Sequence, residues 1–430
     1  KMTTQPHDPT AYPNLIARSP LPSLSRFLGK LIQTGRLTII DTAGQFQNFG
    51  PGNSHPCVTV RLHDPFLPLR ILLRPSLALG EAYTDGRITI EEGTLRDLLH
   101  LCTSNFEAVD RHAIGALRSG LDRLLRRLHQ DNRLGRARVN VAHHYDLSGA
   151  LYDLFLDQDR QYSCAYFHNG AETLEEAQEK KKRHIMAKLL LEPGMRVLDV
   201  GSGWGGLALE MAQTASVDVT GLTLSQEQLA VANKRAAADG LTSHVRFAMR
   251  DYRDEQGTYD RIVSVGMFEH VGVAHYRTYF DTLSKRLKSD GVALVHAIGR
   301  TGPPGSTDPW LRKYIFPGGY CPSLSEVLAA VERSGLWVTD IEILRLHYAE
   351  TLRHWFERFQ VNRDQAKAIY DERFCRMWEF YLASCEAAFR NGPMMVFQLQ
   401  LSHRRDAVPL TRDYVAAKGG QYTVAEDVAE

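Results

Sequence analysis

Residues 197–206 read Val-Leu-Asp-Val-Gly-Ser-Gly-Trp-Gly-Gly, a short apolar strand carrying one acid that runs directly into a glycine turn. A strand this apolar is buried on both faces, as in parallel sheets. Glycines at its end let the backbone turn tightly and pass close to a ligand, and a following helix presents free N–H groups there. The flanking pattern agrees. Helical spacing over Glu176–Leu191 stops at Pro193-Gly194, Leu207–Thr214 reads as helix, and Val217–Leu222 reads as strand. Ser225–Asp239 is a helix, Val245–Ala248, Arg261–Val265 and Val292–His296 are strands, and Tyr276–Leu287 is a helix. Strands alternating with helices of about 10–15 residues predict βαβ units and a mostly parallel α/β sheet. A helical block over Leu352–Arg390 and a strand near Met394–Leu401 follow, and the polar last 25 or so residues are expected to be peripheral.

A dinucleotide fold would place Gly-x-Gly-x-x-Gly in the turn, with a pyrophosphate on the helix N-terminus. Here the spacing is Asp-x-Gly-x-Gly-x-Gly with Trp204 inside the loop, which suits the compact amino-acid end of S-adenosylmethionine (SAM) better than a diphosphate. The second strand runs into Thr223-Leu224-Ser225 and Gln228 rather than a ribose-binding acid. After the third strand, Asp251 is placed to accept from an adenine amine and Tyr252 to stack on the ring.

Across 430 residues, 51 Lys plus Arg against 50 Asp plus Glu give a net charge of +1, which argues against a wholly basic nucleic-acid binder. With 43% hydrophobic and 23% charged residues the chain buries a full core. Six scattered cysteines show no metal-ligand spacing, so no metal site is expected and a reduced, cytoplasmic protein is the simplest reading. No 18-residue apolar stretch spans a membrane.

Five segments follow: a ragged start over 1–23, a small mixed α/β domain over 24–109, a basic linker helix over 110–140, the α/β domain over 141–402, and a tail over 403–430. The small domain has β-rich runs at 37–40, 58–62 and 87–90, a short helix at Ala78–Tyr83 and a longer one at Leu95–Val109. It clusters no catalytic residue types and reads as binding, docking or assembly. Residues 110–138 hold eight arginines against three aspartates, with Ile114, Leu117, Leu121, Leu124, Leu125 and Leu128 on one helical face. Such a helix lies on an anionic membrane surface, or docks its apolar stripe on a neighbouring domain with its arginines solvated.

His144-Tyr145-Asp146-Leu147, Gln161-Tyr162-Ser163-Cys164-Ala165-Tyr166, the glycine loop, Asp260–Val265 and Phe268-Glu269-His270-Val271-Gly272 occur in that order. Asp308-Pro309-Trp310, Tyr314-Ile315-Phe316-Pro317 and Tyr348 follow. Over about residues 141–402, with Gly80–Gly86 extending the match, this resembles the bacterial cyclopropane fatty acid synthases and mycolic acid cyclopropane synthases. The resemblance implies a class I SAM-dependent methyltransferase fold and methylene addition across a cis double bond of a phospholipid acyl chain. It also implies a homodimer, a phospholipid bilayer surface as partner, peripheral attachment at the inner membrane, and no nucleic acid. Close relatives end the same methyl transfer in a methyl or methylene branch, and the motif residues leave both outcomes open.

An alkene is a weak nucleophile, so the sulfonium methyl has to be held in line and away from water. The carbocation that follows loses a proton from the new methyl to close the ring. The resemblance implies bicarbonate as the base, held by Cys164 and Ile298 through their backbones, and by Glu269, His296 and Tyr348, with Glu269 and His296 expected to orient each other. It implies SAM contacts at Tyr162, Ser163, Gly201, Gly203, Thr223, Leu224, Gln228, Asp251 and Tyr252, with Tyr145 above the cofactor. Cys385 matches a cysteine considered catalytic in that family, although methyl transfer to an alkene needs no thiolate. Trp310, Tyr314 and Phe316, in a Pro/Gly-rich stretch, read as an acyl-channel wall or lid rather than core. Ser202 stands where that family usually has cysteine.

Overall fold

The computed structural model describes residues 22–52, 54–109 and 148–422. The basic segment 110–140 and Tyr145 lie outside the described residues. The chain divides into two compact units, Lys1–Ala108 and Val109–Glu430.

The first unit carries a four-stranded mixed sheet in the order β2-β1-β3-β4. Its elements are α1 (Pro22–Leu31), β1 (Arg36–Ile40), β2 (Phe46–Phe49), β3 (Cys57–Leu62), α2 (Leu67–Leu73), α3 (Pro75–Thr84), β4 (Ile88–Glu92) and α4 (Leu95–Val109). Val58, Val60 and Leu62 of β3 alternate inward, the period-2 pattern of a sheet with one buried face. Asn105 ties α4 to the turn before β1 by accepting the N–H groups of Gln33 (2.8 Å) and Thr34 (3.0 Å). Strand β2 escapes sequence reading because three of its four residues are exposed; pairing with β1 makes it a strand.

The second unit is built on a seven-stranded sheet, order β10-β11-β9-β8-β5-β6-β7. A short helix α5 (Gly149–Tyr152) and α6 (Leu174–Leu189) precede β5 (Arg196–Val200). Then come α7 (Gly206–Ala215), β6 (Asp218–Thr223), α8 (Gln226–Ala238), β7 (Val245–Met249), β8 (Tyr259–Val265), α9 (Tyr276–Arg286) and β9 (Leu287–Arg300). The chain continues through α10 (Pro309–Tyr314), α11 (Leu324–Val331), β10 (Trp337–Leu344), α12 (His347–Val361), α13 (Arg363–Ile369), α14 (Glu372–Asn391), β11 (Met394–Ser402) and α15 (Asp413–Gln421). Strands β5 to β9 pair in parallel, while β11 runs antiparallel to β9 and β10. This is the mostly parallel sheet of a class I methyltransferase.

Neighbouring residues of β8 enter different cores, Ile262 on one face and Val263 on the other, because successive strand side chains point oppositely. Phe268, Phe280, Val295 and Phe397 fill the first core; Ile185, Val197, Met211 and Leu294 fill the second. Each fully buried side chain of this size contributes ~1.5–3 kcal/mol.

Two expectations are corrected here. The chain after 402 is not merely peripheral: Tyr414 accepts from Gln400 Nε2 (2.8 Å), and Tyr422 is buried in the second core with its hydroxyl on Leu191 O (3.3 Å). Trp310 belongs to α10 and is buried edge-on against Phe380 of α14, so it is a core residue, not a channel wall.

Candidate active site

Strand β5 lies between β6 and β8, where successive crossovers leave in opposite directions along the sheet. At such a switch point the loops beyond the strand ends part and leave a crevice. The glycine loop sits there. Gly201, Gly203 and Gly205 have φ of +88°, +54° and +89°, a region that side-chain-bearing residues avoid. A Cβ on Gly201 would lie 2.9 Å from Met267 Cβ. Ser202 keeps its hydroxyl on Leu222 O at 3.3 Å, so serine in the loop is satisfied locally.

The cavity at these strand ends is lined by Tyr162, Ser163, Gly201, Gly203, Thr223, Leu224, Gln228, Asp251 and Tyr252. Those are nine of the ten cofactor residues carried over by resemblance; Tyr145 is the one outside the described residues. Several are already oriented. Thr223 Oγ1 donates to Gln228 Oε1 (2.9 Å) and accepts from Ser225 N, and Asp251 grips Arg253 through both oxygens (2.8 and 2.7 Å). An adenine amine bonded by Asp251 would therefore share that carboxylate with an arginine.

Among the lining residues to which the sequence assigned no role are two charged ones, Lys181 and Asp199. Helix α6 starts at a capping box between Thr173 and Glu176, and its stripe Leu174, Gln178, Lys181, Ile185, Lys188 turns inward. Lys181 thus reaches the cavity, donating to Gln161 Oε1 (2.5 Å) and Ser163 Oγ (2.8 Å). Burial pulls its ammonium down to about 8, against the pull of Asp157. Asp199 of β5 also lines the cavity, and burial pushes its carboxyl up to about 7. The signal for Lys181 was the helical stripe, masked by the run Lys180–Arg183.

None of the six catalytic candidates lines this cavity, although Cys164 and Glu269 are chain neighbours of the lining residues Ser163 and His270. Glu269, in the turn after β8, accepts from Ile298 N through Oε1 at 2.6 Å, and its Oε2 has no hydrogen-bond partner among the described residues. Burial raises its carboxyl to about 7. His296, two residues before Ile298 on β9, is buried, and desolvation, reinforced by Lys181, holds it neutral down to about 3. Its Nδ1 meets Gln398 Nε2 across the strand pair at 3.1 Å; with the amide so oriented, the imidazole proton sits on Nε2.

The expected mutual orientation of Glu269 and His296 is therefore not what holds them: each is held by a different partner, one through backbone and one through β11. The Ile298 N–H is likewise taken by Glu269. Cys164 is buried with its thiol on Ala165 O, and the adjacent Ala165 N–H is held by Thr351 Oγ1 (3.0 Å). Tyr348 packs on Trp355 and Phe389. Tyr381 donates to or accepts from Tyr162 (2.7 Å) and feels Cys385 and Tyr348. Cys321 lies near enough to both Glu269 and Cys385 for their charges to act on one another. Burial raises the thiols of Cys164 and Cys385 well above the ordinary range, which keeps both protonated.

Residues 132–399 match the family model described as mycolic acid cyclopropane synthetase, well over half of the chain. This chain belongs to that family. Residues 34–112 match a second model, described only as a domain of unknown function. The cyclopropane-fatty-acyl-phospholipid synthase of Escherichia coli K12 is 38% identical over 80% of this chain and 87% of its own length. The tuberculostearic acid methyltransferase of Mycobacterium tuberculosis is 36% identical over 79% of this chain and 84% of its own. A crystal structure of a mycolic acid cyclopropane synthase complexed with SAH and CTAB aligns at a TM-score of 0.59 and 35% identity, covering 61% of this chain and 97% of that one.

Proposed function

We propose that this chain converts cis-unsaturated acyl chains of phospholipids to cyclopropane acyl chains with SAM as methyl donor. The observation that carries this reading is Glu269: a buried acid with one oxygen on Ile298 N and the other without a hydrogen-bond partner among the described residues, beside a neutral histidine and next to the cavity with the glycine loop. Methyl transfer to an alkene leaves a cation that has to lose a proton before a neutral product is reached, and a buried group able to handle a proton beside that cavity fits this step.

SAM, when bound, supplies an electrophilic methyl that the alkene π pair captures, leaving a cation on the adjacent carbon. The rings of Tyr162, Tyr381, Tyr348 and Trp355 pack together, and their negative quadrupoles would stabilise a cation formed against them. Bicarbonate, when bound, supplies a base for the new methyl's proton. Glu269 and His296 fit that anion: a carboxyl raised to about 7 is about half protonated at neutral pH and in that form donates through Oε2, and His296 donates through Nε2. The Ile298 N–H is already engaged by Glu269. The C–H electrons then close the ring.

Attachment to the inner face of the membrane belongs to the same reading. Among the described residues no helix is long and apolar enough to cross a bilayer. In the first unit, Phe66, Leu69 and Leu73 are exposed at α2 beside Arg70 and Arg74, a composition suited to an anionic lipid surface. Homodimerisation through residues 24–109 completes it; light scattering showing a monomer at micromolar concentration would remove that element.

The test is mass spectrometry of fatty esters after incubation with SAM and vesicles of cis-unsaturated phospholipid. A gain of about 14 mass units with loss of the double bond is expected. The same gain with an alkene surviving supports the branching reading, which the 36% identity to a tuberculostearic acid methyltransferase favours. No gain leaves a lipid-binding protein.

A further inference from the structure

His296 and Gln398 stand directly opposite each other where β9 pairs antiparallel with β11, so their side chains share one face of the sheet. Both are buried. Gln398 Nε2 lies 3.1 Å from His296 Nδ1, and no other hydrogen bond joins the His296 ring to a described residue. Gln398 Oε1 is buried and has no hydrogen-bond partner among the described residues. The main chain of the same stretch of β9 grips the turn that carries Glu269. His296 O accepts from Gly266 N at 2.9 Å, and Ile298 N donates to Glu269 Oε1 at 2.6 Å.

A neutral imidazole has one N–H and one lone pair, and the partner of one nitrogen decides what the other presents. Burial keeps this ring neutral, reinforced by Lys181, Lys188 and His184 and opposed by Glu342. An amide nitrogen offers hydrogens and no lone pair, so Gln398 Nε2 bonds only an unprotonated Nδ1. The single ring proton is then on Nε2. With the proton on Nδ1 instead, the ring would turn a lone pair toward any anion beside it. That lone pair would repel the anion and make the histidine itself a competing base.

We propose that Gln398 is a positioning residue that pins His296 in its Nε2–H form, so that His296 holds the base and does not act as one. This rests on the reading of an anionic base beside Glu269. Gln398 is not in the lining of the cofactor cavity and acts through the imidazole. The pairing of β9 with β11 runs from Arg300↔Met394 to Val292↔Ser402 through the backbone, so exchanging this one side chain leaves the ladder in place.

NMR of the histidine ring nitrogens and turnover, both measured on the full chain, test this. The His296 signals are those lost in His296→Gln. Wild type should show Nε2 protonated and Nδ1 bare; a proton on Nδ1 would overturn the proposal. Gln398→Met keeps the bulk and removes the donor, and should lower turnover about tenfold with S-adenosylhomocysteine affinity within about twofold. Gln398→Glu offers an acceptor at the same length. It should put a proton on Nδ1 and lower turnover about 10- to 100-fold. Turnover within about twofold of wild type in either folded variant would overturn the proposal. So would a parallel loss of S-adenosylhomocysteine affinity, which would make Gln398 a packing residue. Wild-type protein that gives no product from SAM and cis-unsaturated vesicles would sink the functional reading, while its spectrum would still decide how Gln398 holds His296.

Discussion

Glu269 and Ile298 are joined by a 2.6 Å hydrogen bond from the Ile298 backbone N–H to Glu269 Oε1. That bond docks the turn after β8 onto β9. It leaves a buried carboxyl with one oxygen uncommitted among the described residues.

Glu269→Gln keeps an acceptor for Ile298 and removes the ionisable group. It should lower turnover by about 10²–10⁴-fold, the usual worth of a positioned acid or base. SAM affinity should stay within about threefold. A parallel loss of SAM affinity, measured by titration, would move Glu269 into the cofactor site and out of the proposed role. Glu269→Ala additionally orphans the Ile298 N–H and should cost about 1–3 kcal/mol of stability.

The pH dependence has a definite sign. The Glu269 carboxyl rises from 4.5 to about 7 in the fold because of burial, and Asp199 rises from 3.8 to about 7 for the same reason. Between pH 4.5 and about 7 the native state binds more protons than the unfolded chain, so stability falls as pH rises through that window. The Glu269 share is of the order of 3 kcal/mol at most. Melting temperatures at pH 5 and pH 8 should differ less in Glu269→Gln than in wild type. An equal difference in both would show that this carboxyl does not titrate there. His296, neutral down to about 3, should contribute no bend to the activity profile near neutrality.

Cys385→Ala should retain activity within about twofold. Its thiol is held protonated by burial, and no step needs a thiolate. Turnover falling by more than tenfold in steady-state assays would restore it to the catalytic set.

Gly201→Ala should abolish SAM binding. The added Cβ meets Met267 at 2.9 Å, and φ of +88° costs a further ~1 kcal/mol or more for alanine. Titration with S-adenosylhomocysteine reads it; near-native affinity would mean the loop moves freely enough to absorb the methyl.

Tyr422→Ala should destabilise the second unit by about 2–4 kcal/mol, because the ring is buried among Leu191, Val217 and their neighbours. Chemical denaturation showing a change under 0.5 kcal/mol would return the tail to the peripheral role its polarity suggests.

The glycine loop, β5 at Arg196–Val200 and α4 at Leu95–Val109 were legible along the chain because local physics decides them. A continuous apolar run, glycines at its end and a clean helical stripe need no distant partner. Strand β10 was not legible. Its charged Asp340 and Glu342 form a strand because β11 pairs with it, because Lys188 and Arg412 neutralise them, and because His184 hydrogen-bonds Glu342. The tail was misjudged for a related reason: few apolar residues anchor it, and Tyr422 matters only through the groove it fills.

By itself the sequence determined the alternation of strands and helices, the glycine turn and the residue types a methyl-transfer site needs, since each is a property of neighbours within a few positions. Only the tertiary structure decided which of those residues are bound to what. It gave Ile298 to Glu269, Gln398 to His296 and Arg253 to Asp251, and it brought Lys181 and Asp199 into the lining of one cavity. Partners of that kind come together across strands and helices far apart in the chain, and burial then sets their charge. Desolvation depends on everything packed around a group, which no single stretch of sequence contains.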